Sequence, residues 1–249
     1  MRRLQLKRTA GLNLMYEGEE MKFEGVNYAK SKVVTLDDIR PQILNEELQS
    51  PEVFYTKYSS LDSDNVFQKK KIKVNLISIP SNVAGIEYVK TKATLCSTHH
   101  KIVEVISGGG ILMIQRFSPA KGVSEVVLSK VKATDKLIIP AGYSYSFINN
   151  RTTPLAVLEF MSAKGKNKLV LDEMKGMAYY VIRKNAKQEI VRNPLYKIVN
   201  LKKKVDWSKL HKQCNITPKT PFVRQIFRKY EKFDWFVKHS KDSSIILPF

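Results

Sequence analysis

The sequence is short of cysteine and of long apolar runs. Its two cysteines, Cys96 and Cys214, are too few for a disulfide framework, which favours a reducing compartment. No apolar run approaches the roughly 18 residues that a membrane-spanning helix needs. The basic N-terminus also lacks the apolar segment of a secretory signal. We therefore expect a cytoplasmic protein with no membrane partner.

Acidic residues are also scarce. Of 249 residues, 23 are Asp or Glu and 43 are Lys or Arg, so the formal net charge is +20. A surplus of this size favours binding to nucleic acid or to an acidic protein surface. The alternative is a lineage whose proteins are generally rich in lysine, in which case the excess charge is only a solvated surface.

Short segments of apolar or alternating character fill residues 91–162. Clusters of Gly, Pro, Asn and Asp separate them at near-regular spacing, a pattern typical of an antiparallel barrel or jelly roll. The run Gly108-Gly109-Gly110 predicts a tight connection between two strands, with positive φ. The strands predicted here are 102–106, 111–115, 125–131, 136–139, 143–148 and 155–161.

Few helices are predicted before this region. Thr35 followed by Asp37 and Asp38 resembles an N-cap with an acidic first turn, which predicts a short helix over residues 39–48. The other elements predicted here are a strand at 53–58 and a hairpin of strands at 72–79 and 85–94.

The segments "TKATLCSTHH", "GGGILMIQ" and "DKLIIPAGYSYSFINN" look like the two linked motifs of a cupin. The flanking segments "GEEMKFEGVNYAKSKVVTLDDIRPQIL" and "EMKGMAYYVIRKNAKQEIVRNPLYK" resemble the lead-in and the closing hairpin of the cupin-type glucose-6-phosphate isomerases of archaea and bacteria. The resemblance covers about residues 13–198. It implies an all-β cupin fold, a double-stranded β-helix or jelly-roll barrel, with a few short peripheral helices and a helical C-terminal extension.

The resemblance does not extend to the family's metal ligands, which are a His-x-His pair, a Glu and a further His. Thr94 and Cys96 stand at the pair, Lys101 at the Glu and Tyr145 at the last His. A lysine in this position would compete with a cation. We therefore expect a degenerate member with no cofactor. The alternative is an active isomerase that holds a divalent metal such as Fe, Mn, Ni or Zn through relocated ligands.

His99, His100 and Glu104 are the candidate ligands for that alternative. Successive side chains of a strand point to opposite faces, so the two histidines cannot both face the barrel interior. If Lys101 faces inward, as the resemblance implies, Glu104 faces outward. A loop conformation at residues 97–100 would remove this restriction.

The resemblance also implies a sugar-phosphate pocket inside the barrel. Thr91 stands where the family has a threonine near the phosphate, and Tyr143, Tyr145 and Phe147 alternate on a face expected to fill the interior. Isomerisation needs a positioned base or an electrophilic metal, and no residue is assigned as catalytic. The candidate substrate-pocket residues are Thr91, Thr94, Cys96, Lys101, Tyr143 and Tyr145.

Both ends of the chain lie outside the resemblance. Residues 1–12 form a basic lead, expected to be mobile or a covering strand, and residues 199–249 form a basic, aromatic, mainly helical extension. Asp206 predicts the start of a helix over 207–213, and Thr220-Pro221 predicts the start of a second, amphipathic one. That helix either docks on the barrel or binds a partner. The candidate partner-binding residues are Lys202, Lys203, Lys204, Arg224, Arg228, Lys229 and Lys232.

Three functions remain open on these residues. The first is a non-catalytic binding or scaffold protein, a homodimer by family resemblance, with an acidic partner or nucleic acid. The second is an active glucose-6-phosphate isomerase with relocated ligands. The third is a metal-free cupin dimerisation module such as that of centromere protein C, since "MRRLQLKRTAGLNLMYEGE" is loosely similar to the Arg-rich motif of that protein.

Overall fold

The structure is a computed structural model that describes residues 3–118, 122–169, 172–197, 201–202, 205–238 and 245–248. Lys203 and Lys204, two of the predicted partner-binding residues, lie outside the described residues. Within the described part of the chain, no helix has the length and apolar character needed to cross a membrane.

Most of the regular secondary structure is β-strand. The bounds of the strands in chain order are β1 (Arg3–Gln5), β2 (Leu14–Glu17), β3 (Glu20–Phe23), β4 (Lys30–Thr35), β5 (Val53–Ser59), β6 (Ile72–Ile79), β7 (Val83–Ala84), β8 (Glu87–Tyr88), β9 (Thr94–Cys96), β10 (Lys101–Ser107), β11 (Gly109–Ser118), β12 (Gly122–Lys132), β13 (Lys136–Ile139), β14 (Tyr143–Ile148), β15 (Leu155–Ser162), β16 (Asn167–Leu169), β17 (Tyr179–Lys184), β18 (Lys187–Arg192) and β19 (Leu201–Lys202). The strands pair antiparallel except β19, which pairs parallel with β12.

The helices are short and lie mainly at the two ends of the chain. They are α1 (Lys7–Ala10), α2 (Leu36–Ile39), α3 (Val66–Lys69), α4 (Trp207–Gln213), α5 (Phe222–Lys229) and α6 (Asp234–Val237), with 3-10 helices at Arg40–Gln42 and Tyr230–Phe233.

Two six-stranded sheets form the barrel, in the orders β13-β10-β15-β6-β5-β4 and β16-β9-β14-β11-β12-β19. The strands from β10 to β15 are divided between these sheets: β10 pairs with β13 and β15, whereas β11 pairs with β12 and β14. This is the predicted jelly-roll arrangement. The smaller sheets, β1-β2-β3 and β18-β17-β8-β7, lie beside it.

The glycine run between β10 and β11 has the predicted role. Gly108 has a φ of +72°, which favours glycine, and a Cβ placed there would lie 2.2 Å from the carbonyl oxygen of Pro154. A Cβ on Gly110 would lie 2.3 Å from the carbonyl oxygen of Ile148. Glycine is required here by backbone conformation and also by the close approach of neighbouring strands.

The C-terminal extension docks on the barrel. Phe222, Val223 and Ile226 of α5 are fully buried, and the Phe222 ring lies 5.0 Å from that of Phe160 in β15, centroid to centroid. Buried residues of the N-terminal segment, including Leu6, belong to the same hydrophobic cluster. The docking interpretation of the second C-terminal helix is therefore confirmed.

Two predicted elements were wrong. The helix predicted over 39–48 begins at Leu36, immediately after the Thr35 cap, and passes into a 3-10 turn that ends at Gln42. Pro41 lacks the N–H that a continuing helix would use. The strand predicted over 85–94 is reduced to β8 and the start of β9, because the segment between them bonds to β14; Thr91 N–H, for example, donates to the Phe147 carbonyl. The predicted hairpin is absent, since β6 pairs with β5 and β15.

Candidate functional site

A buried polar group lies inside the barrel, where the two sheets face each other. Lys101 comes from β10 and Glu159 from the adjacent β15, while Tyr145 comes from β14 in the opposite sheet. All three are almost fully buried. The Lys101 ammonium donates to the Tyr145 hydroxyl, and that hydroxyl donates to Glu159 Oε1. Lys101 Nζ also lies 3.3 Å from Glu159 Oε1, so the three side chains form a closed hydrogen-bonded group.

A second lysine reaches the same carboxylate from β5. Lys57 Nζ lies 3.6 Å from Glu159 Oε2, and its side chain is 30% exposed. Two cations therefore face one anion in the barrel interior. Because burial removes the solvation of each charge, this compensation is what allows the group to remain ionised there.

The acid–base properties of this group follow from its charges. Burial alone would raise the pKa of Glu159, but Lys101 and Lys57 outweigh it and, with the Tyr145 hydrogen bond, lower that pKa to about 2. Burial and the Glu159 charge raise the pKa of Tyr145 well above its usual value. At neutral pH the carboxylate is therefore charged and the phenol protonated.

The other predicted pocket residues have mostly structural contacts. The Thr91 hydroxyl accepts a hydrogen bond from the Phe147 N–H at 3.0 Å, and the Thr94 hydroxyl donates to the Lys92 carbonyl at 3.2 Å. Tyr143 donates to Glu125 on β12 and thus lies apart from the Lys101 group. Cys96 is buried beside that group, and burial raises the pKa of its thiol to about 11 despite the Lys101 charge.

The structure does not bring the three alternative metal ligands together. His99 Nδ1 is 2.9 Å from the Thr98 hydroxyl, whereas His100 Nδ1 accepts from the Ala141 N–H at 3.1 Å. Glu104 lies on the face of β10 opposite Lys101, as the strand alternation predicts, but it is buried beneath the C-terminal extension.

Glu104 instead connects the barrel to helix α5. Its Oε2 accepts from the Phe222 N–H at 2.9 Å, and its Oε1 lies 2.8 Å from Lys136 Nζ. It thereby accepts a hydrogen bond from the first N–H of α5. Thr220 was predicted to cap this helix, but no side chain of the helix's own segment does so. Burial raises the pKa of Glu104 to about 7, although Lys136 and the Phe222 N–H lower it.

The predicted partner-binding residues are only partly assembled. Arg224, Arg228, Lys229 and Lys232 are exposed on the docked extension. The last three line a cavity of about 220 Å³ together with Thr217 and Gln225. Lys202 belongs to β19, which is separated from α5 by α4 along the chain.

The residues at the family's ligand positions do not fit a metal ion. Lys101 and Tyr145 bring an ammonium and a protonated phenol to the positions that the resemblance aligns with a carboxylate and an imidazole of the family, and Cys96 is held as a thiol. Across the described residues, no group of three or more His, Cys, Asp or Glu side chains is arranged to hold a metal.

Sequence reasoning missed two members of the interior group, Glu159 and Lys57. Glu159 is the one charged residue in the run "PLAVLEFMS". A charged side chain inside a fully buried strand needs a buried partner, so this pattern was an available signal. Lys57 gave no comparable signal, because its strand is only half-buried.

Comparisons with known proteins find one matching sequence family and several distantly similar solved structures. The model of the glucose-6-phosphate isomerase (GPI) family matches residues 31–198. No curated protein sequence matches the chain. A cupin-2 domain from Rhodospirillum rubrum is 15% identical over 60% of this chain and 78% of its own, with a TM-score of 0.38.

Two further solved structures are similar at the same distant level. An oxalate oxidase is 18% identical over 40% of this chain and 46% of its own, with a TM-score of 0.34. A vicilin from Solanum melongena is 18% identical over 50% of this chain and 33% of its own, with a TM-score of 0.38. This chain thus spans less than half the length of either protein, and neither likeness says anything about its activity.

The match to the family model covers well over half of the sequence, and the chain belongs to the glucose-6-phosphate isomerase family.

Proposed function

We propose that this chain is a metal-independent, non-catalytic member of the glucose-6-phosphate isomerase family that binds an acidic protein partner. One observation carries the proposal: Lys101 and Tyr145, at the family's ligand positions, form a closed group with Glu159. An ammonium ion thus occupies the region where the family would place a divalent cation.

The chemistry of this group argues against isomerisation. Moving a proton between adjacent carbons requires a base whose pKa lies near the working pH. With a pKa of about 2, Glu159 is too weak a base, and Tyr145 is held protonated by burial. Neither group has the intermediate basicity that the reaction needs.

The partner would bind to the exposed basic face of the C-terminal extension, formed by Arg224, Arg228, Lys229 and Lys232. An acidic protein is favoured over nucleic acid because single-stranded nucleic acids usually stack on free aromatic rings. In α5 the Phe222 ring is buried, and Phe227, although 45% exposed, has one side of its ring occupied by Phe67 at 5.6 Å, centroid to centroid. Within this proposal the chain is a cytoplasmic homodimer, as its cysteine content and the family resemblance imply.

A coupled isomerase assay tests the first part of the proposal. The purified protein, with and without added Mn, Fe, Ni or Zn, is given glucose 6-phosphate, and formation of fructose 6-phosphate is followed. We expect no turnover under any condition. Metal-dependent turnover would overturn the proposal and support an active isomerase with relocated ligands.

Binding to poly-L-glutamate tests the second part. We expect salt-sensitive binding that is lost in the R228Q/K229Q/K232Q variant and retained in K184Q/K187Q, which removes two exposed lysines at the turn between β17 and β18. Equal loss in both variants would contradict a specific basic face. Tighter binding to single-stranded RNA would contradict the choice of an acidic protein.

A further inference from the structure

A basic cleft of about 730 Å³ lies between the barrel and the C-terminal extension. Its barrel side is formed by residues at the start of β6 and in the loops before β10 and after β15, and its other side by residues around α6. The residues that matter for its chemistry are Lys71, Thr98, His99, Lys164, Lys166 and Lys238.

The charges of the basic cleft are not balanced. Its one carboxylate, Asp234, lies 3.9 Å from Lys238 and is mostly exposed. Among the described residues, no carboxylate lies within ion-pair distance of Lys71, Lys164 or Lys166. Three lysines therefore line one cleft without a paired carboxylate, an arrangement that an anion would stabilise.

Main-chain hydrogen bonds hold these lysines in place. The Lys71 carbonyl accepts from the Ala163 N–H at 2.7 Å, and the Lys166 N–H donates to the Thr98 hydroxyl at 3.1 Å. The Lys166 carbonyl accepts from both the N–H and the hydroxyl of Ser97. The backbone positions of the lysines are thus fixed by the fold, although their side chains reach solvent.

Two further contacts shape the wall of the basic cleft. The Ser162 hydroxyl donates to the Val237 carbonyl at 3.2 Å, which joins the end of β15 to α6. A Cβ placed on Gly165 would lie 2.9 Å from the Ser162 carbonyl oxygen and 3.6 Å from the His99 Cβ. The tight contact is thus with the Ser162 carbonyl at the end of β15, whereas the loop before β10 lies at an ordinary van der Waals distance from Gly165.

We propose that the basic cleft binds the phosphate group of a small phosphorylated molecule. Several lysines beside a hydroxyl match the charge and hydrogen-bonding groups of a phosphate, and a half-open cleft of this size suits a small molecule rather than an extended polymer. Val237 and Lys238 lie outside residues 31–198, so the cleft is not formed by the family-matched region alone. The inference does not depend on whether the barrel interior holds a metal.

Calorimetric titration with inorganic pyrophosphate at constant ionic strength tests the proposal on the full-length chain. We expect saturable binding that weakens by about tenfold or more in K164Q/K166Q, since each lost charge-assisted hydrogen bond is worth roughly a factor of ten. K187Q, on the exposed strand β18, is the matched control and should bind as the wild type does.

K71Q gives an independent variant from another segment, and it should also weaken pyrophosphate binding. Binding unchanged in both cleft variants, or equally weakened in K187Q, would overturn the proposal. So would a single-stranded oligoribonucleotide that binds through the same lysines and is not displaced by pyrophosphate.

Discussion

Strand β10 places two buried charges on opposite faces, and their surroundings differ. On the inner face, Lys101 pairs with Glu159, whose carboxylate also has Lys57 and the Tyr145 hydroxyl as neighbours. On the outer face, Glu104 has one ammonium, that of Lys136, and one helix N–H. Both carboxylates are fully buried and burial raises both pKa values, yet Lys101, Lys57 and Tyr145 lower that of Glu159 to about 2, whereas that of Glu104 stays raised, at about 7.

This contrast shows that burial does not by itself determine the charge of a carboxylate. Burial favours the neutral form at both sites, and the outcome depends on how many cations oppose it. Two lysines are sufficient to lower the pKa of Glu159 in the barrel interior. One lysine and one N–H are not sufficient to offset the effect of burial on the pKa of Glu104. The interior group is therefore ionised at neutral pH, while the Glu104–Lys136 pair is sensitive to pH near neutrality.

The largest expected effect is that of removing the interior cation. K101M should lower the free energy of unfolding by about 3–5 kcal/mol, because it leaves a buried carboxylate with only the partly exposed Lys57. Urea unfolding at pH 7 measures this change. K57M is the comparison, with an expected loss of about 1 kcal/mol or less. A K101M protein as stable as the wild type would show that Glu159 is not charged.

Removing the cation of the Glu104–Lys136 pair should cost less stability. K136M is expected to cost about 2–3 kcal/mol at pH 7, less than K101M, because Glu104 can take up a proton when its cation is removed. The same urea unfolding, repeated at pH 5.5, should show a smaller loss, since Glu104 is then mostly protonated in both proteins. A K136M loss that exceeds that of K101M would contradict the comparison.

The two carboxylates should also give opposite pH dependences. The lowered pKa of Glu159 contributes stability that is present above about pH 4.5 and is lost as the pH falls towards 2. The cost of E159Q should therefore grow as the pH rises from about 2 to 4.5. The raised pKa of Glu104 lowers stability as the pH rises from about 4.5 to 7. The cost of E104Q should therefore shrink over that interval, by about 1–3 kcal/mol. Thermal unfolding across pH measures both, and equal slopes would contradict the assignment.

The smallest expected effect concerns the start of α5. Because Glu104 bonds the Phe222 N–H, T220A should change stability by less than about 0.5 kcal/mol. D206A is the matched case, in which the side chain does cap its own helix, and should cost about 1 kcal/mol. Urea unfolding measures both. A T220A loss as large as that of D206A would mean that Thr220 contributes the cap.

The barrel strands could be predicted because their signals are local. Gly, Pro, Asn and Asp clusters mark the turns, and the strands at Lys136–Ile139 and Tyr143–Ile148 have the predicted bounds. Helix α4 likewise follows from its Asp206 cap and has the predicted bounds. One error, in the segment between β8 and β9 that bonds to β14, arises where a tertiary contact replaces a local one, whereas the misplaced helix over 39–48 had a local signal against it in Pro41.

The charged partners were less predictable. Strand alternation places Lys101 inward and Glu104 outward, but it does not show that Glu159 and Lys57 meet Lys101, since these residues are distant in sequence. Nor does it show that the outer face is covered by α5. The role of Glu104 depends on a helix more than a hundred residues away in the sequence.

The central claim is that an internal ion pair stands in place of the family's metal. Elemental analysis of the purified, tag-free protein after incubation with Mn, Fe, Ni or Zn and dialysis tests it most directly. The account predicts metal contents well below one ion per chain for every metal. Near-stoichiometric metal that is lost in an H99A/H100A variant would contradict it and assign the ligands to the histidine loop.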